Sequence, residues 1–309
     1  MKDTFNFDNL TISNIIDDDT EFIPLLSSDD EAQMNSEETP HELPLLPLRN
    51  TVLFPGVIIP ITVGRDKSIK LIKEAYNGDK TLGVVAQKND AIEDPEPKDL
   101  NNIGTVAHIL KMLRMPDGNT TVIIQGKKRF KIEEVTQTTP YLKARITEFN
   151  QLEKPEGRKF NALVSSIKDL ATQIIQQSPN IPTEATFAIK NIESPTFLIN
   201  FIASNMNAGV KEKQILLEIP ELEERANLLL QHLTKELQLL ELKNDIQSKV
   251  RTDLDKQQRE YFLNQQIKQI QEELGGDPQQ QEIAEFRKKA KTKKWNKTVK
   301  ERFEKELAK

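Results

Sequence analysis

Between residues 221 and 274 the chain contains neither glycine nor proline, and it then meets Gly275-Gly276-Asp277-Pro278. At 1.5 Å per residue, a helix of that length reaches roughly 80 Å. This far exceeds the mean globular helix. A helix that outgrows its own domain in this way spans something or docks on partner subunits. Leu222, Ala226, Leu229, Leu233, Leu237 and Leu240 form a seam near the coiled-coil period. The stretch 243–258 is mostly polar and carries only Ile246, Val250 and Leu254 as long aliphatic groups. Apolar spacing resumes at Tyr261, Phe262, Ile267, Ile270 and Leu274. Two basic helices are expected beyond it, over 279–292 and 297–308.

Upstream, the hydrophobic period divides the chain. Residues 43–150 read as a compact β-rich domain. Strands are expected at 43–48, 57–63, 81–87, 103–115, 119–125, 129–135 and 141–149, with one helix over 66–76. Asp117-Gly118 separates two apolar runs, a hairpin signal because glycine supplies positive φ. Five to seven short strands and one helix imply a small mixed barrel or sandwich. From residue 155 the period becomes helical, with Phe160, Leu163, Val164, Ile167, Leu170 and Ile174 at i, i+3, i+4 spacing. Ser194-Pro195 predicts a polar N-cap with proline at the first helical position. Helices over 183–192, from 195, and over 211–219 complete a small bundle spanning 155–219. The fold class expected is α+β: a barrel-like β domain, an all-α bundle and one very long helix over 220–276, then the basic helices of 277–309.

The net charge of −5 hides an asymmetry: residues 1–42 carry −11 and the remainder +6. The acidic leader, with apolar groups at no sustained period, reads as disordered, with a short interaction motif around Phe22 to Leu26 as the sharper alternative. Residues 284–309 hold 11 Lys/Arg against four Glu. There is no cysteine, which excludes disulfides, thiolate metal sites and cysteine nucleophiles. The most apolar stretch, 52–63, is broken by Pro55, Gly56 and Pro60, and falls short of the ~20 residues of a spanning helix. With no apolar secretory segment at the N-terminus, a cytoplasmic protein without membrane partners is expected.

Motifs for chemistry are sparse. No G-x-x-x-x-G-K-[ST] loop exists, and Gly126-Lys127-Lys128 lacks the following Ser/Thr. His41, His108 and His232 are scattered and support neither a metal cluster nor a triad. Ser165 and Lys168 match S-x-x-K on an amphipathic helix without companion motifs, and read better as an exposed helix face. The basic run Arg287, Lys288, Lys289, Lys291, Lys293, Lys294 with Trp295 suits nucleic acid through counterion release. A solvated helix face beside an acidic neighbour accounts for it more simply. No catalytic, cofactor-binding or metal residue is assigned.

Certain strings carry more than composition does. Residues 46–55 read LPLRNTVLFP, 63–68 VGRDKS, 85–88 VAQK, 99–106 DLNNIGTV and 115–118 MPDG. Far downstream, 258–275 read QREYFLNQQIKQIQEELG. In this order, over roughly 43–309, the chain resembles the N-terminal region of the Lon family of ATP-dependent proteases, and the long-helix string is the most specific part. The resemblance implies a PUA-like β domain, a bundle and a long helix leading to an AAA+ ATPase module and a Ser-Lys protease domain. The family's ATP and Mg belong to that ATPase module, whose motifs are absent here. The leader has no counterpart in the resemblance.

The resemblance also implies a role: capture of unfolded or degron-bearing protein substrates, and self-association into a hexamer. Capture needs exposed apolar surface with polar rims. Val52, Leu53, Phe54 and Pro55 are the candidate apolar contacts, against the competing reading of core packing, and Arg65, Asp66 and Lys67 the candidate rim. Leu229, Leu233, Leu237, Leu240, Tyr261, Phe262, Ile267 and Ile270 are the candidate oligomer or coupling face. By itself the chain is expected to bind proteins and to hydrolyse neither ATP nor peptide bonds. The alternatives are a free-standing adaptor that co-assembles with a full-length Lon and a nucleic-acid-binding protein.

Overall fold

A computed structural model describes residues 31, 33, 34, 36–114, 120–149, 155, 157–178, 181, 184–273, 278–293 and 295–307. The leader motif at Phe22 to Leu26, the hairpin turn at Asp117-Gly118 and the breaker at Gly275-Gly276-Asp277 lie outside these residues, as does most of the acidic leader. The chain divides into two units, Met1–Glu241 and Leu242–Lys309.

The first unit opens with β1 (Glu42–Leu48), β2 (Ile58–Val63), α1 (Asp66–Asn77) and β3 (Thr81–Ala86), followed by β4 (Ile103–Arg114), β5 (Thr120–Gln137) and β6 (Lys143–Glu148). The sheet order is β2-β5-β4-β3-β1-β6, and an additional β5–β6 pairing curls the sheet on itself. β1 runs parallel to β3, and the other pairings are antiparallel. The sequence divides residues 119–135 into two strands, but β5 is a single strand of 18 residues. Register shifts against β4 and β6 bend it. Its first half therefore pairs with β2 and its second half with β6. A bulge changes a strand's direction without ending it, so no breaker marks the place.

Four helices follow: α2 (Arg158–Gln177), α3 (Glu184–Asn191), α4 (Pro195–Asn205) and α5 (Val210–Glu218). The Ser194 hydroxyl accepts a hydrogen bond from the Phe197 amide at 3.2 Å, and Pro195 occupies the first helical position, as the sequence indicates. The long helix α6 (Leu222–Glu273) then begins, and its first turns belong to this unit.

One buried cluster joins the β domain to the bundle, beside two clusters of the β domain's own. Val52, Phe54, Val57 and Ala86 pack in the same buried cluster as the apolar faces of α2, α4, α5 and the start of α6. The loop carrying them is tied to β5: Gly56 N–H donates to Gly126 C=O, and Gly126 N–H donates to Val57 C=O, both at 2.9 Å. A Cβ at Gly126 would stand 2.3 Å from the Phe54 carbonyl oxygen, so only glycine allows this approach. Gly126→Ala is expected to cost about 1–3 kcal/mol through overpacking. Urea unfolding of the chain checks this.

Two buried arginines hold the junction. Arg129 on β5 donates to the Leu217 and Ile219 carbonyls, each at 2.8 Å, and stacks 4.9 Å from the Phe149 ring centroid. Arg225 on α6 donates to Ile219 C=O at 2.6 Å and to Asn200 Oδ1 at 3.1 Å. Asn200 in turn donates to Pro55 C=O. The carbonyls at the end of α5 form the negative end of its dipole, which suits cations there. Burial pushes Arg129 down to about 10 and Arg225 to about 9, and both remain guanidinium at neutral pH.

Lys213 on α5 donates to Ser204 C=O at 2.7 Å. Burial lowers its pKa from 10.5 to about 8, against the opposing pull of Glu236. Between these two values the unfolded chain binds more protons than the folded one, so stability rises with pH there. Raising pH from 7.5 to 9.5 is expected to increase the unfolding free energy of the parent more than that of Lys213→Met. Equal slopes in paired urea titrations would contradict this.

The second unit comprises the remainder of α6, α7 (Pro278–Lys291) and α8 (Lys297–Leu307). Within it Trp295 meets Phe303 edge-on at 4.9 Å, and Arg287 pairs with Glu304.

Candidate functional site

The curled sheet leaves a seam. β1 pairs with β6 only over Glu42–Pro44 and with β3 over Leu45–Leu48. β2 pairs only with β5 among the described residues. Leu45 N–H still donates to Leu142 C=O at 2.8 Å, so among the described residues the edge of β1 beyond Leu45 and the outer edge of β2 lack a strand partner. A cavity of about 420 Å³ is lined by the unbroken runs 46–51 and 60–65 together with Ser68. A cavity over one face of a strand touches alternate residues, whereas one along its edge touches consecutive ones. This cavity is thus an edge groove between the two strands.

A second lobe of about 340 Å³ shares Pro47, Arg65 and Ser68 with the first. Tyr141 and Leu142, backed by the almost fully buried Leu45 and Leu71, form its apolar side, and Lys67 paired with Asp94, together with Glu96 and Thr138, forms its polar side. Tyr141 donates its hydroxyl proton to the Glu74 carboxylate, which with burial pushes the phenol up to about 12. Proline stands on each open edge, Pro47 on β1 and Pro60 on β2. Each removes one N–H donor, which keeps an open edge from recruiting strands indiscriminately.

Arg65 stands where the lobes meet. Its Nη2 donates to Gln87 Oε1 at 2.7 Å, and the buried Gln87 amide donates onward to Ile92 C=O at 3.0 Å. That chain fixes the guanidinium. Burial, then the neighbouring Arg49, hold its pKa below the ordinary value, while Asp94 and Glu93 oppose the shift. Arg49 is exposed and lines the first lobe. Cations, carboxylates and an apolar side along one groove suit an extended peptide. Nothing here offers a nucleophile with an adjacent base, and no metal-ligand cluster occurs among the described residues.

The sequence candidates separate clearly. Arg65 and Lys67 line the groove, and Asp66 is exposed beside it in the first turn of α1. Val52, Leu53 and Phe54 are at most 2% exposed and Pro55 is half-buried. The first three are core because their loop runs between sheet and bundle. In this conformation they present no surface to a ligand. Leu229, Leu233 and Leu237 are buried in the bundle's own core, and Leu240 packs at its margin. Tyr261, Phe262, Ile267 and Ile270 are exposed on the second unit's part of α6. Sequence reading missed Arg49, Gln87 and Tyr141 as lining or supporting groups. Arg49 and Gln87 fall within two of the quoted strings, but only the sheet order brings them beside Arg65.

A mixed β domain joined through a buried cluster to a helical bundle, with an open groove large enough for a peptide, has the form of a binding module. The family profile described as ATP-dependent protease La (LON) substrate-binding domain matches residues 42–235. The chain belongs to the Lon protease family. It is 60% identical over 304 residues to the Lon protease of Flavobacterium johnsoniae, covering 98% of this chain and 37% of that protein. It is 51% identical over 290 residues to that of Cytophaga hutchinsonii, covering 94% of this chain and 36% of that protein. The chain thus spans little more than a third of the length of these curated relatives. The solved N-terminal domain of a Mycobacterium avium complex Lon protease shares the fold, with a TM-score of 0.52 at 22% identity, covering 62% of this chain and 98% of that one. Among the described residues no helix is long and apolar enough to cross a membrane.

Proposed function

We propose that this chain captures unfolded or degron-bearing protein segments in the seam groove between β1 and β2. It acts in the cytoplasm, as the substrate-binding part of an ATP-dependent protease. The observation that carries this reading is the pair of open strand edges facing one groove within the region that matches a substrate-binding domain. An extended segment laid there gains main-chain hydrogen bonds from an edge and side-chain contacts from the pockets, the mode of strand addition. Edge prolines shorten that ladder, which favours weak, releasable binding. Release matters if segments pass onward to an ATPase module using ATP and Mg and then to protease sites, neither of which has its motifs in this sequence.

Self-association, into the hexamer implied by the family, is assigned to the exposed groups of α6. Tyr261, Phe262, Ile267 and Ile270 are each more than half exposed, apolar groups spread around the helix that partner subunits would cover. Casein labelled with a fluorophore provides the test. Saturable binding to the full 309-residue chain is expected, with competition by unlabelled extended peptides. Flat anisotropy across the titration would remove the reading.

A further inference from the structure

The groove is chemically lopsided. Arg65 and Arg49 both face the first lobe, and neither makes an ion pair among the described residues, whereas Lys67 on the second lobe is already matched by Asp94. Arg65 cannot swing away freely, because Gln87 holds it and Gln87 is itself buried and anchored on Ile92. Two like charges lining one groove disfavour each other; burial first and Arg49 second hold the Arg65 pKa down, while Asp94 and Glu93 oppose them. A carboxylate placed between the two arginines relieves that repulsion. The second lobe is mixed: Tyr141 and Leu142, backed by the almost fully buried Leu45 and Leu71, give it an apolar side, and Lys67, Asp94, Glu96 and Thr138 give it a polar one.

We infer that the groove selects extended protein segments in which an acidic side chain, seated between Arg49 and Arg65, is followed by a large apolar side chain lodged in the second lobe. This rests on the reading that the chain binds protein segments, and adds which segments it prefers. Three features support an internal side-chain carboxylate over other occupants. The guanidinium fork takes a carboxylate in bidentate fashion. The groove runs along strand edges, which fits a chain passing through. Pro47 and Pro60 limit main-chain pairing, so discrimination falls to side chains. The acidic leader of this chain carries the same chemistry, and its occupancy of the groove would appear as competition.

The test uses octapeptides acetylated at one end and amidated at the other, so that no terminal carboxylate contributes. One carries a central Glu followed by Leu, and its match carries Gln in place of Glu. Binding to the full chain is measured by calorimetry at low salt. The Glu peptide is expected to bind about tenfold tighter or more, the size of a charge-assisted hydrogen bond set. Arg49→Gln and Arg65→Gln should each bring the Glu peptide down towards the Gln peptide. Lys73→Gln, on the exposed side of α1, should leave the ratio unchanged, which separates a seated carboxylate from general attraction. Raising salt should narrow the ratio only partly, since Arg65 is half-buried.

Equal binding of the two peptides, or an unchanged ratio in both arginine variants, overturns the inference while casein binding keeps the parent reading alive. Binding of casein without binding of either peptide also overturns it, since capture then lies elsewhere. Loss of casein and peptide binding together removes both readings. A rise in Glu-peptide affinity after removal of residues 1–30 supports the inference, because it shows the chain's own acidic segment competing for the same carboxylate seat.

Discussion

Phe54→Ala is expected to destabilise the first unit by about 3–5 kcal/mol, the range for deleting a fully buried aromatic ring. Phe54 is 0% exposed and lies where the β domain meets the bundle, in contact with the cluster that contains the apolar faces of α2, α4 and α6. Its removal leaves a cavity that neither the sheet nor the helices can close alone. The urea midpoint should fall accordingly, and the slope should stay close to the parent's if the two parts still unfold together. The result separates two roles for the 52–55 segment. A surface contact for substrates would lose binding and keep stability. A core residue loses stability first. A change below about 1 kcal/mol would contradict the packing described here.

Arg225→Ala is expected to cost about 2–4 kcal/mol. The side chain is 1% exposed and supplies hydrogen bonds to Ile219 C=O and Asn200 Oδ1. Alanine leaves the Asn200 oxygen buried without that donor, worth about 1–3 kcal/mol, and opens space where the long stem lay. Arg225→Met is expected to cost less than alanine. Methionine fills the space, and Arg225 Nε has no hydrogen-bond partner among the described residues, so the buried cation is incompletely compensated. Arg129 continues to hold Ile219 C=O in either variant. Equal losses for Ala and Met would mean that the charge rather than the packing stabilises the junction.

Much of the architecture is local and therefore legible. The absence of breakers over 221–274 indicates the long helix, and the observed helix runs Leu222–Glu273. Ser194-Pro195 announces a helix start, and the hydroxyl makes that cap. The change from strand to helical period near residue 155 separates sheet from bundle. What was not legible is non-local. The apolar run 52–54, closed by Pro55, reads equally as exposed loop or as core. Only the tertiary packing of the bundle on the sheet decides that Val52, Leu53 and Phe54 are inside. The seam of Leu229, Leu233 and Leu237 has the spacing of an inter-subunit coiled coil, yet the same spacing serves packing within a bundle. The groove depends on the order β2-β5-β4-β3-β1-β6. No period in the sequence states that Arg49, Arg65 and Gln87 converge, nor that Tyr141 completes the second lobe.

Charge placement follows the same division. The surplus of cations at 284–309 is visible in composition, but its local neutralisation is not. Lys289 pairs with Glu285, and Arg287 with Glu304, within the second unit. By contrast, the two arginines facing the seam groove lack ion pairs among the described residues. Few cations in a dedicated cavity direct a ligand more than many on an exposed helix face, since exposed charges are screened by salt.

Hydrogen–deuterium exchange of the full chain, with and without saturating unfolded casein, tests the central claim most directly. Strand addition at the seam is expected to slow amides of 46–48 in β1 and 61–63 in β2, along the two open edges, while the shared core of the bundle stays unchanged. Protection confined to other parts of the chain, or none at all under saturating casein, would contradict the assignment of the groove as the place where protein segments bind.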